Sequence, residues 1–404
     1  LKEFVLKPII IVDRPCGTGK TSDLLTSFKP HEKYIVIVPY LTEVDRVVSD
    51  AVCDFYAPQV DEESSTKRQS LLELAIEGKN IATTHKMFES LVSVCRQGYL
   101  DDYNLIIDEV PETIKVAYTL SKASINEIYL NGGYLDVDSK GLVKLTPKWE
   151  QKQEEFKDTL SPKLMAQAST GCLYLSENQF FLWCMPIELL TSCFSTTILT
   201  YKSGGSVLCK YLDKEGIPYV VDYSGAVDEV FKVKARQLIS IEDLPNAISS
   251  LKWSFNKQSE LKVPQCKKVQ TALKNLRARQ LVGIESSDIM LTCSKALWND
   301  EPRGRGIKVG SRLYQANWIA NTTRGTNAFS HCSHAIYLYD QHLNPAIVRW
   351  LNVEDRVAFD NDYALSEFIQ WLYRSRVRKG EPVTVFFASS RMRSLVENWL
   401  YGDA

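Results

Sequence analysis

The sequence predicts an α/β protein of parallel β-sheets flanked by helices, on three observations. Apolar runs of strand length alternate with segments of helical spacing through the first ~110 residues. The run Ile9-Ile10-Ile11-Val12 leads straight into a glycine-rich turn and Gly19-Lys20-Thr21. A later run, Leu105-Ile106-Ile107, leads straight into Asp108-Glu109. Strands joined through helices lie parallel and are covered on both faces. In such sheets ligands gather at the carboxyl ends of the strands. Lys20, Thr84 and Asp108 each follow the end of a predicted strand, so one crevice can hold all three.

Taken in order, Ile9 to Val12 is a buried strand, and a helix opens at Ser22-Asp23-Leu24-Leu25. Tyr34 to Pro39 is a second strand. Thr42 to Val52 is helical, with Val44, Val47, Val48 and Val52 apolar. Ala57 to Ser70 is polar and reads as a loop, Leu71 to Glu77 as a helix, Ile81 to Thr84 as a strand and Met87 to Val94 as a helix. From about 115 to 190 the alternation is lost. Asn131-Gly132-Gly133 and Asp138-Ser139-Lys140-Gly141 are turns between short strands, and Trp149 to Asp158 is a charged helix. Ser195 to Thr200 is again a strand. The Tyr201-Lys202-Ser203-Gly204-Gly205 segment after it suggests a boundary, giving domains 1–205 (with an insert at about 115–190) and 206–404. The second half has a basic helix at Lys267–Arg279 and strands at Asp288–Cys293, Trp318–Asn321, Ala335–Tyr339 and Val383–Ala388. A long helix is expected over Ala364–Arg378.

Composition narrows the class. Hydrophobic content of 45% and charged content of 24% suit a soluble globular chain. No apolar stretch approaches the ~18 residues of a membrane span. The N-terminal apolar run enters the glycine-rich turn rather than a cleavage site, so no signal peptide is expected. The ten cysteines are scattered without C-x-x-C spacing, which fits free thiols in a reducing cytoplasm. His331-Cys332-Ser333-His334 is the nearest thing to a metal motif and is a weak one. The net charge of −1 hides a balance of −8 over the first 200 residues and +7 over the rest. A basic half beside an acidic one points to a polyanion partner.

The motifs carry the chemistry. After a strand and before a helix, the Cys16-Gly17-Thr18-Gly19-Lys20-Thr21-Ser22 turn can curl its backbone N–H groups around phosphates, helped by the helix dipole. Lys20 can reach the outer phosphates, and the Thr21 hydroxyl can ligate Mg²⁺. This is a Walker A loop for ATP or GTP without its leading glycine, since Arg14 stands there. Asp108 can hold Mg²⁺, and Glu109 can polarise the water that attacks the γ-phosphate. In the second half, Asn321-Thr322-Thr323-Arg324-Gly325-Thr326-Asn327 follows a strand. Gln370, Arg374 and Arg378 recur at a spacing of four, which on a helix places them on one face. Guanidinium groups so gathered need an anion to face and can stabilise phosphoryl transfer.

Together these motifs resemble those of the superfamily 2 helicases, and more narrowly the DEAD-like helicases of bacteriophages. Pro15 to Thr21 looks like motif I, Val38-Pro39-Tyr40 like motif Ia, and Thr83-Thr84-His85 like the Thr-x-His element. Asp108-Glu109-Val110-Pro111 looks like motif II. Thr197 to Tyr201 sits where motif III belongs but departs from Ser-Ala-Thr, and Asp288 to Ser294 occupies the place of motif IV. Arg324-Gly325-Thr326-Asn327 looks like motif V. Gln370 to Arg378 looks like motif VI, with Tyr373 for its glycine and the second arginine one residue late. That shift leaves Arg374, Arg376 and Arg378 all open as the arginine finger.

The resemblance implies two RecA-like domains with ATP and Mg²⁺ in the cleft between them. Lys20, Asp108, Glu109, Gln370, Arg374 and Arg378 would be catalytic, Thr21 and Asp108 would hold the metal, and Arg324 would join the Cys16–Ser22 loop around the nucleotide. Nucleic acid, DNA favoured over RNA and single-stranded or forked, would run over Pro39, Tyr40, Thr84, His85, Thr326 and Asn327. It further implies a monomer in the cytoplasm, of the host if phage-encoded, acting in phage DNA replication or recombination beside replication or other phage proteins. The alternative is a nucleotide switch that binds a protein partner without unwinding.

Overall fold

The computed structural model describes residues 8–60, 66–156, 158, 160–299, 304–323 and 325–402. Its strands in chain order are β1 (Ile9–Asp13), β2 (Lys33–Val38), β3 (Ile81–Thr84), β4 (Tyr103–Asp108), β5 (Ile114–Thr119), β6 (Leu135–Val137), β7 (Val143–Leu145), β8 (Leu173–Ser176), β9 (Phe180–Cys184) and β10 (Ser195–Thr200). They continue with β11 (Tyr219–Tyr223), β12 (Ile239–Asp243), β13 (Ile289–Thr292), β14 (Asn317–Trp318), β15 (His334–Tyr337) and β16 (Val383–Phe387).

The first sheet has the order β11-β1-β10-β4-β2-β3, and every neighbouring pair is parallel. Its centre is apolar on both faces. Ile35, Ile37, Ile107 and Ile198 belong to one core, and Val36, Val38 and Ile106 to another with Leu25 and Phe28. Because β10 lies between β1 and β4, the carboxyl ends of those strands stand side by side: Asp13 is in register with Thr200, and Asp108 with Leu199. The glycine-rich turn and the acidic pair are thereby brought together.

The segment between β4 and β10 is a subdomain in its own right. It holds an antiparallel sheet, β5-β9-β8, and a β6–β7 hairpin. Their own core includes Ile125, Trp149, Leu164 and Phe181. The second main sheet is β12-β16-β15-β13-β14, again parallel throughout. Helices Arg356–Leu372 and Ser390–Tyr401 cover one face through Phe368, Trp371, Met392 and Val396, and helix Val263–Arg279 covers the other through Val269, Leu273 and Leu276.

Several expectations need correction. β11 pairs with β1, so the first sheet draws on the chain as far as Tyr223 and the expected boundary at 205 falls about 18 residues early. The Tyr201–Gly205 segment stays in the first domain but touches the second, the Ser366 hydroxyl donating to the Tyr201 carbonyl (3.2 Å). Buried Asp13 accepts hydrogen bonds from the Lys202 and Ser203 backbone N–H groups (2.7 and 2.8 Å) and from the Ser203 hydroxyl (2.7 Å). The Tyr201 hydroxyl donates to Asp228 (2.7 Å) at the start of helix Gly225–Leu238. Part of the expected 57–70 loop is helix, which starts at Lys67 behind a Thr66 N-cap, while 61–65 lie outside the described residues. The expected Met87–Val94 helix is three short turns, His85–Phe88, Glu89–Leu91 and Val92–Cys95. The long helix ends at Leu372, so Gln370, Arg374 and Arg378 do not share a helical face; Arg378 lies in a separate 3₁₀ turn, Arg376–Lys379.

Candidate active site

The glycine-rich turn takes the shape its residues allow. Gly17 and Gly19 have φ of 78° and 83°, in the left-handed region that glycine enters without a Cβ penalty. Gly19 is the N-cap of helix Lys20–Ser27, whose first residues, Lys20, Thr21 and Ser22, line the cavity described below. Lys20 Nζ donates to the carbonyls of Arg14 (2.7 Å) and Thr200 (2.8 Å), which ties the loop to the ends of β1 and β10. The Thr21 hydroxyl donates to Asp108 Oδ2 (2.8 Å). These are adjacent hard oxygen donors, and with substrate phosphates they suit Mg²⁺, which needs only one or two protein ligands. Burial, with the neighbouring Glu109 carboxylate, raises the Asp108 pKa; the Thr21 hydroxyl and Lys20 oppose that rise.

Glu109 stands just past β4 with φ of 64°. A non-glycine residue there costs about 1–2 kcal/mol. The strain is held in place because the Glu109 N–H donates to the Leu199 carbonyl (2.9 Å) while the side chain enters the cleft. There it meets the second domain: Arg374 Nη2 lies 2.7 Å from Glu109 Oε1, and the arginine side chain is only 2% exposed. Arg374 Nε donates to the Gln370 carbonyl (3.1 Å), so the end of the long helix fixes the direction of the guanidinium.

A cavity of about 100 Å³ lies between these groups. Its walls include Gly17, Lys20 and Thr21, the Asp108-Glu109 pair, and Arg374 and Arg378 from the other domain. With Cys16, Gly19, Ser22 and Pro39, which line it too, eleven of the expected residues converge on one space. Of the expected Cys16–Ser22 loop only Thr18 is absent from its walls, and Thr18 lines a neighbouring cavity. The Cys16 thiol is pushed up in pKa by burial against the pull of Lys20 and the arginines, and it packs on the second domain's core as a small apolar group.

Other expected residues fall elsewhere. Gln370 is absent from this cavity; its amide donates to the Ser366 hydroxyl (3.1 Å), and it lines a second interdomain cavity of about 400 Å³. The Arg376 side chain is turned away, its Nε donating to the Pro382 carbonyl, and its backbone N–H donates to the Cys332 carbonyl (3.2 Å). Arg324 lies outside the described residues. Tyr40 and His85 line the second cavity together with Pro39, which borders both cavities, and His85 Nε2 also lies 3.0 Å from the Asp108 carbonyl. Thr84 ends β3, beside Val38 in β2. Thr326 and Asn327 follow Gly325, whose Cα is so close to Pro39 that a Cβ would sit 2.6 Å from Pro39 Cγ. The loops of the two domains thus abut at Pro39-Tyr40 and Gly325.

Arg46 and Glu43 also line the cavity of about 100 Å³ and pair with each other at 3.1 Å. Helical spacing had marked their helix only for its apolar face, and nothing local shows that its polar face borders the site.

Residues 226–400 match the YonV C-terminal Rossmann-like domain family. The chain is 26% identical over 429 aligned residues to the SPbeta prophage-derived uncharacterized protein YonV of Bacillus subtilis (strain 168), covering 98% of this chain and 99% of that one. Among solved structures, that of apo XPD superposes with a TM-score of 0.51 at 13% identity, covering 98% of this chain and 94% of the other. Xpd4 of S. tokodaii gives 0.41 at 10% identity over 97% and 94% of the two chains, too distant to add to the comparison. The likeness to XPD shows the fold: two parallel-sheet α/β domains of RecA-like fold. Among the described residues, no helix is long and apolar enough to cross a membrane.

Proposed function

We propose that this chain is an ATP-dependent nucleic-acid translocase or helicase, with DNA as the favoured track and phage DNA replication or recombination as its setting. The observation that carries the proposal is the Arg374–Glu109 contact across the cleft (2.7 Å), directly beside the phosphate loop. It places a cation from one domain against the carboxylate of the other that is suited to direct the attacking water.

ATP phosphates would lie against the Gly17–Ser22 backbone, with Lys20 released from its two carbonyls to meet them. Mg²⁺, held through Thr21 and Asp108, would supply charge neutralisation at the β- and γ-phosphates. Glu109 would orient the attacking water and take up its proton. Arg374 would transfer from Glu109 to the developing charge on the γ-phosphate, and Arg378 would add a second cation. Since Arg374 belongs to the second domain, nucleotide-dependent movement of its contact changes the interdomain geometry. The abutting loops at Pro39-Tyr40 and Gly325-Thr326-Asn327 would carry that movement to a strand held mainly through its phosphates. Arg324, Thr84 and His85 belong to the same proposal.

The test is strand displacement on forked, 5′-tailed and 3′-tailed duplexes, with ATP and with a non-hydrolysable analogue. Displacement or directional translocation with ATP alone supports the proposal. ATP hydrolysis without movement on any substrate would favour the protein-binding nucleotide switch.

A further inference from the structure

Behind the phosphate loop lies another cavity, of about 610 Å³. It shares Cys16, Gly17 and Arg378 with the phosphate-side cavity, so the two spaces meet at the loop itself. Its walls are of a different character. Phe231 and Tyr373, nearly buried, stack on each other with ring centroids 4.7 Å apart. Val227 and Val230, one helical turn apart on helix Gly225–Leu238, also line it and are both exposed. Lys234, a further turn along, stands at its rim. An exposed apolar stripe on the wall of a concave site, continuous with a phosphate cradle and edged by a cation, has the size and make-up of a small-molecule subsite.

We infer that this cavity is the nucleobase subsite of the nucleotide whose phosphates occupy the Gly17–Ser22 loop, and that the second domain's first helix supplies its floor. The inference rests on the nucleotide-binding reading above. A flat, largely apolar heterocycle fits the valine and aromatic surface, and the ribose would pass Gly17, where a side chain would come within 3.9 Å of Arg378. The base would then bridge the domains independently of Arg374 and Glu109. The Thr18 hydroxyl already donates to the Pro15 carbonyl (2.9 Å), and the other polar side chains lining the cavity are the Cys16 thiol, the Tyr373 hydroxyl and the flexible rim cations Lys234, Arg378 and Lys379, with no carboxylate or amide among the described lining residues to select one base edge. ATP and GTP should therefore bind within a few-fold of each other.

The experiment compares the full chain with Val227→Ser/Val230→Ser by calorimetric titration of ATP, GTP and inorganic tripolyphosphate with Mg²⁺, and maps crosslinks from 8-azido-ATP. Both valines are exposed, so the variant is expected to fold. The expected result is an ATP affinity reduced about tenfold in the variant, tripolyphosphate affinity unchanged, and ATP-competed crosslinks within 225–238 or 373–380. Crosslinks confined to other segments, or equal losses for ATP and tripolyphosphate, overturn the base placement while leaving nucleotide binding intact. If neither ligand binds the unaltered chain, the nucleotide reading itself fails and this inference with it.

Discussion

Arg374→Ala is the most informative single substitution. The arginine is 2% exposed and 2.7 Å from Glu109, whose side chain keeps 18% of its surface in solvent. Removing one partner of a fully buried pair costs about 3–5 kcal/mol, mostly because the other charge is left uncompensated. Solvent reaching Glu109 screens part of that, so a loss of about 2 kcal/mol is expected. In a Glu109→Gln background no charge is stranded, and the same change should cost about 1 kcal/mol, leaving a coupling of about 1 kcal/mol. Hydrolysis should fall by about 10³ in Arg374→Ala. Arg374→Lys should recover stability better than rate, since a lysine keeps the charge but lacks the planar fork. The assays are urea denaturation of the four members of the cycle and steady-state ATPase at saturating Mg²⁺-ATP. Additive stabilities together with near-unaltered hydrolysis in Arg374→Ala would refute a catalytic contact across the cleft.

Three further outcomes follow from particular contacts. Gly325→Ala places a Cβ 2.6 Å from Pro39 Cγ at φ of 72°; it should cost about 1–2 kcal/mol and reduce nucleic-acid-stimulated ATPase more than basal ATPase. Asp13→Asn replaces a carboxylate that accepts three hydrogen bonds from the segment after β10; denaturation should show a loss of about 2 kcal/mol. His342 lies between Asp340 (3.2 Å) and Asp360 (2.6 Å), both also held by Arg391, and its pKa is raised to about 9 by those hydrogen bonds. A raised histidine stabilises fully below its unfolded pKa of ~6.5 and loses that contribution as pH climbs through the folded value. Because the ring is 40% exposed, the effect should be only about 1 kcal/mol between pH 6 and 10 and absent in His342→Gln, read as unfolding free energy against pH.

The first half of the site was legible because its logic is local. Each strand hands its functional residues directly to the next turn, so Gly19-Lys20-Thr21 and Asp108-Glu109 could be placed by apolar runs alone, and parallel pairing through β10 did the rest. The second half depends on where a helix stops. Tyr373-Arg374-Ser375 contains no glycine or proline to signal an end, yet the Tyr373 and Ser375 N–H groups close the last turn at Leu372 and turn Arg374 toward Glu109. A spacing of four suggested one face for three residues, and the chain instead delivers two arginines to the cavity by separate turns. β11 escaped because Tyr219-Val220-Val221-Asp222-Tyr223 is an edge strand, mostly exposed, and nothing in its sequence names the sheet it joins. The insert's antiparallel sheet rests on pairings between β5 and β9, roughly 65 residues apart, a separation that local patterning does not encode.

The central claim is that both domains build one ATPase site that a nucleic-acid strand drives. The direct measurement is the ATPase rate of the full chain, with and without single-stranded DNA and RNA, beside Lys20→Ala. The account predicts a basal rate that rises severalfold with a strand and is lost in Lys20→Ala. Full hydrolysis by Lys20→Ala, or a rate indifferent to every nucleic acid offered, would contradict it.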